Sequence, residues 1–175
     1  MSNENFDLGN YPNLIAIPYA KTLNEKDPQR KDHQRVCLEM MLSFNASVCL
    51  ANYYHYKTAE EGKDAKISQA LPDLPSDPKL HFDLGMMSIG KWNQITRDTA
   101  SVLFDATSKG KDNDFLVADI GSMYRNKGSV WNKNVNTLIS LRNQDAHGQI
   151  ISDEALEGEL KNRQKMLDQL MKEMS

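Results

Sequence analysis

Wherever apolar residues recur regularly in this chain, they recur at the three-and-four spacing of an amphipathic helix. The stretch "KDPQRKDHQRVCLEMMLSFNASVCLANYYHYKT" predicts one long helix, with Asp27 as N-cap and Pro28 at the first helical position, where its missing N–H is no loss. Cys37, Met41, Phe44, Val48 and Ala51 mark its buried face, and Leu38, Leu42, Cys49 and Tyr53 widen that face beyond what one neighbour could cover. A second helix is expected from Ser88, with Trp92, Ile95, Val102 and Leu103 inward and Thr99 filling the gap. A shorter one is expected in "NDFLVADIGSMY". A further helix capped by Ser129 should bury Trp131, Val135, Leu138 and Leu141. The last, "SDEALEGELKNRQKMLDQLMKEM", opens on Ser152 or Asp153, has acids in its first turn where the macrodipole favours them, and carries Leu156, Leu160, Met166, Leu167, Leu170 and Met174 as its stripe.

Between these lie the breakers. "LIAIPYA" reads as an extended segment, because the residue before Pro18 is disfavoured in the α region. "EEGKDAKISQALPDLPSDPKLHFD", with Gly62, Pro72, Pro75 and Pro78, reads as a connector holding at most one short helix. Residues 1–12 are polar and expected to be loose. No repeat and no convincing hairpin is present. The expected fold is therefore an all-α bundle of about five helices with a long early helix, in one domain spanning 1–175. The final helical pattern ends without a stop signal, as expected of a chain that continues into a longer protein.

Composition narrows the function classes. A chain of 175 residues with 39% apolar content supports one core, and a net charge of −3 at pH 7 advertises no global attraction to nucleic acid or anionic membrane, so such contact must rest on a local patch. The N-terminal stretch lacks a basic n-region, and its apolar run Leu14 to Ile17 is too short for a signal core, so a cytoplasmic setting and no membrane partner are expected. Cys37 and Cys49, twelve positions apart on one helix, would stand roughly 18 Å apart and cannot bridge. His33, His55, His81 and His147 share no face and no zinc spacing, so no metal and no cofactor is expected. Phosphate-binding loops and the serine-hydrolase turn are missing from the sequence as well.

The run "LRNQDAHG", Leu141 to Gly148, concentrates the candidate chemistry. Gly148 suits a left-handed helix cap, which would place His147 in the last turn, where the helix C-terminus favours its protonated form. The run resembles the R-x(4–6)-H motif of the HEPN superfamily, carried here by Arg142 and His147, with Asn143 as the polar residue that often follows the arginine. The all-helical setting, the "IPYA" lead-in and the "SIGKW" helix start are also similar to bacterial, defence-associated HEPN-like domains.

The resemblance implies a metal-independent endoribonuclease with a composite site built by a homodimer, acting on single-stranded RNA in defence or toxin-antitoxin biology. Within it Arg142 would bind the phosphate, His147 would move protons, and Asn143 would orient the ring or donate to phosphate. Arg125, Lys127 and Lys133 form a basic approach that could bind RNA, with Tyr124 and Trp131 either stacking on bases or belonging to the core. Equally open is a non-catalytic HEPN-like module that dimerises or senses a ligand, beside a further effector or regulatory domain or protein. A plain helical adaptor is the third reading, with Arg142 complementing the helix dipole or pairing with Asp145, and His147 a capping residue. In the HEPN toxins regulated by nucleotide attachment a tyrosine follows two residues after the histidine. Gln149 stands there, so that regulation is not expected.

Overall fold

A computed structural model describes residues 7–24, 26–60, 88–108, 120, 123–124, 126, 128–146 and 152–174, with the side chains of 55–60, 102 and 104–108 excepted. These residues form an all-α bundle. After a 3-10 turn at Leu8–Asn10, the α-helices among them are α1 (Asn13–Thr22), α2 (Arg30–Glu60), α3 (Ile89–Ser108), α4 (Val130–Ala146) and α5 (Asp153–Glu173). They fall into two compact units, residues 1–41 with 133–175, and residues 42–132. The proline-rich connector after Glu60 lies outside the described residues, as does nearly all of the short helix expected between Asn113 and Tyr124.

In the first unit, α1 corrects the expectation of an extended "LIAIPYA". Pro18 sits inside this helix. It has no N–H to bond the carbonyl four residues back and its ring crowds that carbonyl, a cost offset by burial: Ile15, Tyr19 and Thr22 follow helical spacing and are almost wholly enclosed. The Tyr19 hydroxyl donates to Asp168 Oδ1 of α5 at 2.8 Å, and the Arg30 Nε–H donates to the Thr22 carbonyl at 3.2 Å. Of the stretch 1–12 expected to be loose, residues 1–6 lie outside the described residues, and Tyr11 is anchored: it is buried and its hydroxyl donates to the Met171 carbonyl at 3.0 Å.

Helix α2 begins two residues later than its N-cap signal would place it, yet Asp27 still organises the start. Its Oδ1 accepts from the Gln29 amide at 2.8 Å, and its Oδ2 lies 3.2 Å from His33 Nε2, giving that histidine a partner the sequence did not disclose. Within this unit α2 buries Gln34, Cys37, Leu38 and Met41, and the Gln34 amide donates to the Leu160 carbonyl and to Gln164 Oε1. On α4, Val135 and Leu138 are buried as the stripe predicts. Helix α5 is capped by Ser152, whose Oγ accepts from the Ala155 amide at 3.3 Å. Its buried face is Arg163, Gln164, Leu167, Leu170 and Met171, so the expected leucines at 156 and 160 are only half-buried and an arginine lies deeper than they do.

The second unit is built on α2 from Leu42 onward, on α3, and on the start of α4. Leu42, Asn45, Ala46, Cys49 and Tyr53 are buried, while Phe44 and Val48 flank them and Ala51 is exposed. The buried face is rotated slightly from the expected one. Ser88 caps α3 by accepting from the Lys91 amide, and Ile89, Trp92, Thr96, Thr99, Ala100 and Leu103 face inward. Thr96 and Thr99 enter the core because each hydroxyl donates to a carbonyl one turn back, at 3.0 and 2.6 Å, leaving only methyl groups to pack. Ser129 caps α4 by accepting from the Asn132 amide, and the buried Asn132 side chain donates to the carbonyls of Met123, Tyr124 and Asn126. Trp131 and Tyr124 are both enclosed, with ring centroids 5.7 Å apart.

Both cysteines are free and buried. Burial pushes each thiol from 9.0 up to about 12, with Asp168 adding to the rise at Cys37 and a hydrogen bond to Thr99 opposing it at Cys49. That leaves about a thousandfold less thiolate at a given pH than an ordinary cysteine has. Ellman's reagent should therefore label neither thiol within minutes in the native protein and two per chain in denaturant. Rapid labelling of the native chain would show that the unit holding the labelled thiol opens.

Candidate functional site

The C-terminal turn of α4 and the first turns of α2 carry an open, charged cleft of about 290 Å³ within the first unit. Lys31, Asp32 and Arg35 line it from α2; Arg142, Asp145 and Ala146 line it from α4. Helical spacing explains the gathering. Lys31 and Arg35 are four positions apart and Arg142 and Asp145 three apart, so each pair shares a helix face.

Asp145 is the hub. Its Oδ1 lies 2.6 Å from Lys31 Nζ and its Oδ2 lies 2.9 Å from Arg163 Nη1 of α5. Arg163 in turn binds Glu159 one turn earlier on α5, and its side chain is only 3% exposed. Partial burial draws the Asp145 carboxyl upward, but the hydrogen bonds and charges of Arg163 and Lys31 outweigh that and hold it below its ordinary 3.8. The end of α4 is thereby tied to both α2 and α5.

Arg142 is not part of that network. The pairing with Asp145 that would make it a structural residue does not form, because Lys31 and Arg163 already hold the carboxylate. Among the described residues, Arg142 has as its hydrogen-bond partner the neighbouring Asn143 Oδ1 at 3.2 Å, and no acid binds it. Its side chain is half-buried along the cleft wall. Arg35 is more exposed at 41%, and its carboxylate neighbours Asp32 and Glu39 stand at 3.8 and 3.6 Å, beyond ordinary hydrogen-bond length.

Of the residues singled out in the sequence, the structure places Arg142 and Asn143 side by side in the last turn of α4. His147, Arg125 and Lys127 lie outside the described residues. Lys133 is exposed on α4, but nine positions before Arg142 it stands roughly 180° round the helix and about 13 Å along it, away from the cleft. Trp131 and Tyr124 are core side chains and offer no face to a base. In "NYYHY", Tyr53 is likewise enclosed, and Tyr54, with its ring edge-on to Tyr53, is half-exposed. Lys31, Arg35 and Arg163 are the site residues that sequence reasoning missed. Their common signal was a cation on a stripe also carrying apolar residues, which helical patterning alone treats as solvated surface.

Among the described residues no group of three or more His, Cys, Asp or Glu could hold a metal ion. The segment Arg30–Tyr54 is long and apolar enough to cross a membrane, but passes that test as a core helix also does, with part of its length buried inside the protein. Compared with family models, curated proteins and solved structures, the chain finds no match in any of the three.

Proposed function

We propose that this chain is a HEPN-type endoribonuclease that cuts single-stranded RNA without a metal ion, at a site to which two copies of the chain each contribute Arg142 and His147. The observation that carries the reading is the Arg142 guanidinium, which lies on an open cleft with no acid bound to it among the described residues, five residues ahead of His147. A guanidinium left unneutralised in a turn whose own carboxylate is taken by two other cations is suited to an external anion.

The chemistry follows from those groups. The RNA 2′-oxygen attacks the adjacent phosphorus while a neutral histidine takes its proton. The bond from phosphorus to the 5′-oxygen breaks, and a protonated histidine supplies the proton that oxygen needs. The products are a 2′,3′-cyclic phosphate and a 5′-hydroxyl end. Arg142 neutralises the charge that builds on the phosphorane oxygens. One histidine cannot be base and acid in the same step, so a second copy supplies its twin.

Incubation with single-stranded RNA in excess EDTA should give cyclic phosphate ends, and His147→Ala should abolish them while leaving the fold unchanged by circular dichroism. Light scattering should report a dimer. The acidic balance of the chain, −3 overall, favours a second reading, a non-catalytic HEPN-like dimerisation or sensing module. RNA left whole by a folded dimer would select it.

A further inference from the structure

Beyond the Arg142 and His147 pair, the first turns of α2 carry cations that no motif identifies. The geometry points to a phosphate clamp in the cleft: Lys31 and Arg35 of α2, together with Arg142 of α4, bind one phosphodiester of the RNA strand. The inference rests on the endoribonuclease reading for the source of that phosphate, and on the cleft alone for its chemistry.

Donor inventory supports it. An ammonium has three donors, and Lys31 gives one to Asp145 at 2.6 Å, which fixes its position and leaves two. A guanidinium has five, and Arg142 gives one to Asn143. Arg35 touches its acids only at 3.6 and 3.8 Å, so its fork is free to turn. Of the acids nearby, Asp145 is engaged by two cations and Glu159 by Arg163, while Glu39 meets Arg35 only at 3.6 Å and does not line the cleft. Asp32, 73% exposed and facing Arg35 at long range, is the one acid lining the cleft that an incoming phosphate would oppose. At about 290 Å³ the open cleft has room for a phosphate and part of its nucleotide, at the lower end of the range small-ligand sites occupy.

The test uses the full chain and a fluorescein-labelled single-stranded RNA with 2′-O-methyl riboses, which binds but cannot be cut. Arg35→Ala should weaken binding five- to tenfold, and its slope of log affinity against log salt should be shallower by about 0.7, the value of one lost phosphate contact on a single strand. Asp32→Asn should tighten binding two- to fivefold. Unchanged affinity and slope in Arg35→Ala, or no tightening in Asp32→Asn, overturns the clamp. Inorganic phosphate, titrated by NMR against the parent and Arg35→Ala, separates the sources: Arg35-dependent phosphate binding by a chain that ignores the RNA would overturn the strand as ligand. The two readings fail separately. Arg35-dependent RNA binding by a protein that leaves cleavable RNA whole sinks the nuclease and keeps the clamp, whereas cleavage with Arg35-independent binding does the reverse.

Discussion

Arg163→Met should lower the unfolding free energy by about 2–3 kcal/mol, read as a drop of roughly 5–10 °C in melting temperature for a chain of this length. Methionine keeps the unbranched stem of the arginine and removes its charge, so the loss is electrostatic rather than a cavity. Arg163 is enclosed to 3% exposure, and its head holds Asp145 of α4 and Glu159 of its own helix. Without it Asp145 keeps Lys31, and Glu159 is left with no cation among the described residues. Removal of one partner from a fully buried pair costs about 3–5 kcal/mol. The acids here are 26% and 24% exposed and recover some hydration, which brings the figure down.

Acid should erase part of that difference. The Asp145 carboxyl is held below its ordinary 3.8 by Arg163 and Lys31 against the opposing effect of burial. A carboxylate depressed in the folded state stabilises the fold fully above its unfolded value, and the contribution disappears as pH falls through the lower folded value. Melting curves of the parent and Arg163→Met should therefore lie furthest apart at neutral pH and converge below pH ~4. Parallel curves across that range would mean that Arg163 acts through its packing alone.

How far this arrangement could be read from the sequence depends on the residue type. Ser88, Ser129 and Ser152 announced their helices correctly, because an N-cap is a local hydrogen bond that needs no distant partner. Trp131, Val135 and Leu138 were equally legible, since a large apolar side chain on a regular stripe has nowhere else to go. Pro18 misled, as its local penalty was outweighed by the burial of Ile15 and Tyr19 against distant elements. Polar residues inside the fold were the least visible. Asn132 is buried because three carbonyls of the preceding turn converge on it, and Arg163 because carboxylates one turn away on α5 and on the end of α4 reach it. Neither circumstance leaves a mark on hydropathy. The same limit applies to the cleft: the motif pointed to Arg142 through its neighbours in sequence, whereas Lys31 and Arg35 lie more than a hundred positions earlier and come to the site only through the fold.

Arg142→Ala should leave stability nearly untouched and reduce the proposed RNA cleavage by about 10²–10³-fold, the loss typical of removing one donor to a developing oxyanion. The contrast with Arg163 is the sharpest expectation the site offers. Both are arginines near one aspartate, but only Arg163 holds it; Arg142 has no acid among the described residues and a single neighbouring amide as partner. Its loss orphans no buried charge, so the melting temperature should stay within a degree or two of the parent. Arg142→Lys provides the chemical discrimination. A lysine keeps the charge but lacks the planar two-pronged face that matches a pair of phosphate oxygens, so it should restore only a minor part of the lost rate. Full activity in Arg142→Lys would reduce the role of Arg142 to general charge. A melting temperature that falls as far in Arg142→Ala as in Arg163→Met would return Arg142 to the scaffold and remove the basis for the nuclease.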